Sequence, residues 1–141
     1  MANNKDRLIS LYKHYKLDKE DIFQLKFGAT KVPIITRTGI DKIQGTENII
    51  IHYDTVEYSP GISAAVKAKA KWNDRYIETY GEASKANTKM PYPLAMAEKR
   101  AMSRITLKLT GFYALGAFGE DESEDFKRPK QITEDHVKMT L

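Results

Sequence analysis

Residues 93–111 read PLAMAEKRAMSRITLKLTG, the longest helical pattern in the chain. Leu94, Ala97, Ala101, Ile105 and Leu109 recur at three- and four-residue steps, so one face of this helix is apolar and suited to burial. Arg100, Arg104 and Lys108 recur at four-residue steps on another face. Like charges at that spacing repel by roughly 0.2–0.5 kcal/mol per pair in an isolated helix. The stripe therefore reads either as a solvated face or as a surface offered to an anion. The flanking segments must supply a partner for the apolar face and a use for the basic one.

The segment before the helix supplies the partner. Residues 62–72 alternate, with Val66, Ala68, Ala70 and Trp72 facing one way and Lys67, Lys69 and Lys71 the other. Asn73-Asp74 reads as a two-residue hairpin turn, and residues 75–84 return as the next strand. That turn pairs Trp72 with Arg75, Lys71 with Tyr76, Lys69 with Glu78 and Lys67 with Tyr80. One face then carries Ala68, Ala70, Trp72, Ile77, Thr79 and Gly81, small and apolar enough to take a helix. The other carries Lys67, Lys69, Lys71, Tyr76, Glu78 and Tyr80. Cations that neutralise phosphates and rings that stack on bases are the usual apparatus for single strands. The bland alternative is the wet side of a half-buried sheet, with Lys69 and Glu78 as a cross-strand pair. A one-residue slip in register would exchange the two faces.

Working outward, residues 48–58 are rich in β-branched and aromatic side chains and read as the first strand of the block, with Ser59-Pro60-Gly61 as its turn. Residues 5–16 read as an N-terminal helix. Residues 17–27 are ambiguous, with Asp18 placed to cap a short helix over 20–25. Residues 31–36 are extended, and Pro33 confines them to an edge or a loop. Thr38 is placed to cap a short helix over 39–44, closed by Gly45. Residues 85–93 read as a loop carrying Lys85 and Lys89. Residues 112–118 pack back on the core, and the chain is polar from Gly119 onward. The expected fold class is α+β: a three-stranded antiparallel β-sheet in β-β-β-α order, a long basic helix packed on it, and short N-terminal helices ahead of it. One domain over 1–119 is followed by an acidic, flexible tail over 120–141, with a short helix near Glu134.

Composition limits the function classes. The 141 residues are 41% hydrophobic and 30% charged, enough for one domain with a real core. With no Cys, disulfides and thiolate metal sites are excluded. The N-terminal segment lacks a long apolar run, so neither a signal peptide nor a membrane span is expected there. The net charge of +4 hides an asymmetry, because residues 120–125 (EDESED) collect acid in one place and leave a basic body suited to a polyanion. His14, His52 and His136 lie far apart, with no metal-binding spacing and no nucleophile beside a base. No Gly-rich phosphate loop occurs. The acidic run lacks the alternation and Gly of a calcium loop. No metal, no cofactor and no catalysis are therefore expected. The tail reads as a solvated segment, a competitor for the body's own basic groove, or a docking segment for a protein partner.

The order of elements resembles the β-β-β-α core of the single-strand annealing proteins, the superfamily of the eukaryotic annealing recombinase Rad-fifty-two, with relatives in many phages. The stretches that carry the resemblance are ITRTGIDKIQ, AAVKAKAKWNDRYIETYGEAS and AMAEKRAMSRITLKLTGFYALG, within residues 36–119. Ala97, Lys99 and Ala101 fit the family's A-x-K-x-A helix, and residues 112–116 are similar to its ALG-like ending. Within that superfamily the chain resembles a small phage-type member. One departure stands out: the family's helix carries two adjacent basic contact residues, and here Leu107 precedes Lys108.

The resemblance implies a homo-oligomeric ring or filament. Single-stranded DNA would lie in its positively charged groove, with bases ready to pair and no nucleotide hydrolysed. The expected setting is recombination, repair or replication in the cytoplasm, that of a bacterial host for a phage-encoded protein. Expected phosphate contacts are Lys67, Lys69, Lys71, Arg75, Arg100, Arg104 and Lys108, with Lys85 and Lys89 from the loop. Tyr76 and Tyr80 would stack on bases or sugars. The rival readings are a protective single-strand binder that does not anneal, a small magnesium nuclease using Asp54 or Glu57, and an adaptor whose basic helix meets an acidic protein.

Overall fold

A computed structural model describes residues 3–84 and 92–122. The chain is α+β, and its centre is the long helix α3 (Pro93–Thr110). Pro93 opens it at a position where no intrahelical donor is needed, and Gly111, at φ 94°, ends it in the left-handed conformation. On one side lies a three-stranded antiparallel sheet, β3 (Ile51–Ser59), β4 (Ser63–Trp72) and β5 (Arg75–Ser84), in that order. Asn73 and Asp74 both have positive φ, 48° and 63°, as a two-residue hairpin turn that follows the strand twist requires. The β4–β5 register is the one expected, with Trp72 opposite Arg75, Lys71 opposite Tyr76, Lys69 opposite Glu78 and Lys67 opposite Tyr80.

That register turns Ala64, Val66, Ala68, Ala70 and Ala83 inward against Ala97, Ala101, Ile105 and Leu109 of α3. Small residues on both surfaces let helix and sheet come unusually close. A Cβ built on Gly81 would lie 2.1 Å from the Ala97 carbonyl oxygen and 2.4 Å from the Ala101 nitrogen, so only glycine fits there.

The opposite side of α3 is also covered. A second three-stranded sheet has the antiparallel hairpin β1 (Ile22–Phe27) and β2 (Thr30–Ile35), joined in parallel at Ile34 and Ile35 by β6 (Phe118–Gly119). With α2 (Arg37–Glu47), it builds a second core of Ile35, Ile40, Ile43, Met102, Leu107, Phe112 and Ala117. The helix α1 (Asn4–His14) adds Leu8, Leu11 and Tyr12 to that core, and Asn3 caps it through a bond from the Asp6 N–H at 2.8 Å. Phe112 and Ala117 show that the segment after α3 packs back as expected.

The N-terminal half required corrections. Residues 17–27 do not hold a helix: Asp18 and Asp21 organise a turn through bonds to the Glu20 and Asp18 N–H groups, and the chain then enters β1. The cap of α2 is Thr36, whose Oγ1 accepts from the Gly39 N–H at 3.2 Å. Gly45 does not close this helix, which runs on to Glu47 and ends at the left-handed Asn48, φ 52°. Pro33 is tolerated because β6 reaches β2 only beyond it, at Ile34.

Candidate nucleic-acid interface

The candidate surface is the face of β3–β5 turned away from α3. Tyr76 and Tyr80 are 57% and 46% exposed, each directly opposite a lysine, Lys71 and Lys67. Lys67 Nζ stands 5.9 Å from the centre of the Tyr80 ring, within cation–π range. The sheet thus brings Lys67, Lys69, Lys71, Tyr76 and Tyr80 together on one accessible face. Its charge is more balanced than the hairpin alone suggested, because β3 adds the carboxylate of Asp54 to that of Glu78. Lys69 pairs with Asp54 of β3 at 2.7 Å, and Lys67 pairs diagonally with Glu78 rather than Lys69 doing so. The hydrogen bond from Lys69 holds the Asp54 carboxyl below its ordinary range, and the reciprocal bond raises the Lys69 ammonium. Lys67 is raised likewise by its bond to Glu78. Lys71 has no carboxylate partner among the described residues.

The helix stripe has a different fate. Arg100, expected to face DNA, is 1% exposed and donates Nε to the Asp121 carbonyl at 3.0 Å and NH1 to the Glu82 carbonyl at 2.7 Å. Arg104 donates Nε to Glu122 at 3.1 Å and NH1 to the Tyr80 carbonyl. These two guanidinium groups bind backbone oxygens of the edge strand β5, so they close that edge. Lys108 is half-buried, with Nζ 3.3 Å from Thr79 Oγ1 and 5.2 Å from the centre of the Tyr113 ring. Leu107, where the family resemblance calls for a basic contact, is fully buried in the second core. Arg75 also turns from the sheet face: its NH1 donates to the Leu109 carbonyl at 2.7 Å and ties the hairpin turn to the end of α3. Lys85 and Lys89 lie outside the described residues.

The start of the acidic run explains the stripe. A 3₁₀ turn at Glu120–Glu122 lies on α3, with Asp121 Oδ2 accepting from Ser103 Oγ at 2.7 Å and Glu122 only 4% exposed beside Arg104. Glu120 accepts from the Arg37 N–H at 2.7 Å at the start of α2. The first acids therefore belong to the folded body, and the expectation of a solvated tail from residue 120 is corrected for 120–122. Buried Arg100 and half-buried Arg104, in need of carbonyl and anionic partners, hold the segment in place. Residues 123–141, with the expected helix near Glu134, lie outside the described residues.

Sequence reasoning missed two residues that share the sheet face. His52 stands opposite Lys69, and Ile50 just before β3 is 65% exposed. Their facing follows from the β3–β4 pairing, which carries an irregularity between Thr55 and Glu57 that no residue pattern announced. Among the described residues no three His, Asp or Glu side chains gather to hold a metal ion, and no helix is long and apolar enough to cross a membrane. No protein-family model, no curated protein and no solved structure matches this chain.

Proposed function

We propose that this protein binds single-stranded DNA without sequence preference and anneals complementary strands, working as a homo-oligomer and without catalysis. The observation that carries the reading is the pairing of exposed Tyr76 and Tyr80 with Lys71 and Lys67 across an accessible sheet face. A ring stacks on any base, and an adjacent ammonium meets any phosphate, so the combination is sequence-tolerant by construction. The ion pairs to Asp54 and Glu78 do not close the face. Exposed pairs of this kind contribute little, because water and salt screen them, so a phosphate exchanges for a carboxylate at little cost. Binding by counterion release must then weaken steeply with salt. Arg100 and Arg104 act in this reading as the frame that holds β5, and the lysines and tyrosines of the sheet do the binding.

The test is a mixing assay with complementary labelled oligonucleotides. Annealing predicts faster pairing than in protein-free solution, and a steep fall of oligonucleotide affinity between low and moderate salt. Slower pairing with retained affinity would leave a protective binder, and no affinity at low salt would remove nucleic acid as the ligand.

A further inference from the structure

The outer sheet face is not uniform along its length. Toward the middle, Lys67 and Lys69 are matched by Glu78 and Asp54. At the end beside the Asn73-Asp74 turn, the cation Lys71 keeps no carboxylate partner among the described residues. This end is also where the surface becomes concave, in a cavity of about 580 Å³ whose lining includes Ile50, His52, Asp54, Lys69, Lys71 and Tyr76. That volume falls inside the roughly 300–1,000 Å³ range of small-ligand sites. Two of its walls are large, apolar and open to solvent: the Tyr76 ring at 57% exposure and the Ile50 side chain at 65%. Asp54 lies four residues from Ile50 along the strand, about 13 Å at the usual rise, and is held by Lys69. Its charge therefore sits at the far end of the cavity from Lys71.

We infer that this depression is a discrete mononucleotide site, with a base stacked on Tyr76 against Ile50 and the phosphate held by Lys71 and His52. Chemistry selects the class of ligand. Free phosphate would leave the two exposed apolar walls unused, and an uncharged ring compound would leave Lys71 unused. A nucleoside monophosphate uses both. The inference deepens the single-strand reading and rests on it: a bound strand would be anchored at the turn end of the face by one seated nucleotide, and held along the rest by weaker, exchangeable contacts.

The test is a two-dimensional amide NMR titration of the full chain with a nucleoside monophosphate, the matching nucleoside and inorganic phosphate. The expected result is saturable shifts confined to His52, Lys71, Tyr76 and their neighbours. Affinity for the monophosphate should exceed that for either half by about tenfold or more, as one stacked ring and one phosphate contact would give. Tyr76→Ala should reduce the monophosphate to the affinity of phosphate, whereas Tyr76→Phe should retain it. Lys71→Ala should reduce it to the affinity of the nucleoside, and Lys13→Ala, on exposed α1, should change nothing. A monophosphate that binds no tighter than phosphate, or shifts spread over lysines of other elements, would overturn the inference. Oligonucleotide binding by the same samples separates the two readings. Retained oligonucleotide affinity without monophosphate preference removes the seated nucleotide alone, and monophosphate binding with no tighter oligonucleotide binding removes the strand reading alone.

Discussion

Gly81 and Arg100 hold α3 against the sheet by opposite means, one by having no side chain and the other by having a long one. A methyl at position 81 would overlap the backbone of α3 at Ala97 and Ala101, and backbone cannot step aside as a flexible side chain can. Gly81→Ala should therefore cost about 3 kcal/mol or more of unfolding free energy, at the upper end of overpacking effects. Arg100→Ala would remove a buried donor from the Glu82 and Asp121 carbonyls and leave a void, and should cost about 2–4 kcal/mol in a urea melt. Lys71→Ala should leave the melt within about 0.5 kcal/mol of the parent, as exposed positions usually do, and lower oligonucleotide affinity instead. If Arg100→Ala kept full stability and lost only DNA affinity, the assignment of Arg100 as a buried strut would be wrong. The sequence showed the angular position of Arg100 on the helix but not its surroundings. Helical spacing places a side chain on a face; what packs on that face here is Glu120–Glu122, about twenty positions away along the chain.

Elements differed in how plainly the chain announced them. The β4–β5 hairpin was legible to the residue pair, because strict alternation meets a two-residue turn that fixes the parity of both strands. Strand β1 was not, because Asp18 and Glu20 imitate a helix start while they build the turn that precedes the strand. Helix α2 was read too short because Gly45 resembles a terminator. It lies exposed in the last turn of the helix, two residues before its end, with nothing within 4 Å of where a Cβ would be. Gly45→Ala should thus raise stability by about 0.5–1 kcal/mol, read as an increased urea midpoint at unchanged slope. Helix α2 is tied to the approach to β1 by Lys42, whose Nζ lies 2.6 Å from Asp21. Burial pushes the Asp21 carboxyl up, but hydrogen bonds from Lys42 and the Asp18 backbone outweigh it and hold the group below its ordinary range. A carboxyl lowered in the folded state stabilises above the unfolded value, near pH 4, and loses that contribution as pH falls through the folded value. Asp21→Asn should therefore destabilise at neutral pH, with a penalty that shrinks in melts taken progressively below about pH 4. A penalty independent of pH would mean that the ion pair contributes nothing.

The molecule as a whole has α3 in the middle, the β3–β5 sheet on one side, α2 with the short β6 on the other, and an acidic turn clasping the helix's arginines. This arrangement moves the expected binding surface. The basic helix stripe, the feature that first pointed to a polyanion, is consumed in holding the layers together. The exposed sheet face, with Lys67, Lys71, Tyr76 and Tyr80, is the surface that the proposed binding would use. The β-β-β-α order was legible because local alternation and helical period carry it. The second sheet was not, because β6 has only Phe118 and Gly119 and pairs with β2 across more than eighty positions of chain. The most direct measurement is fluorescence anisotropy of a labelled single-stranded oligonucleotide at low salt, with the parent chain and with Lys71→Ala/Tyr76→Ala/Tyr80→Ala. The account predicts tight binding by the parent and a loss of about a hundredfold or more in the triple variant at an unchanged melting temperature, given two stacked rings and one phosphate contact removed. Equal affinity of the two proteins, or no binding by the parent, would contradict it.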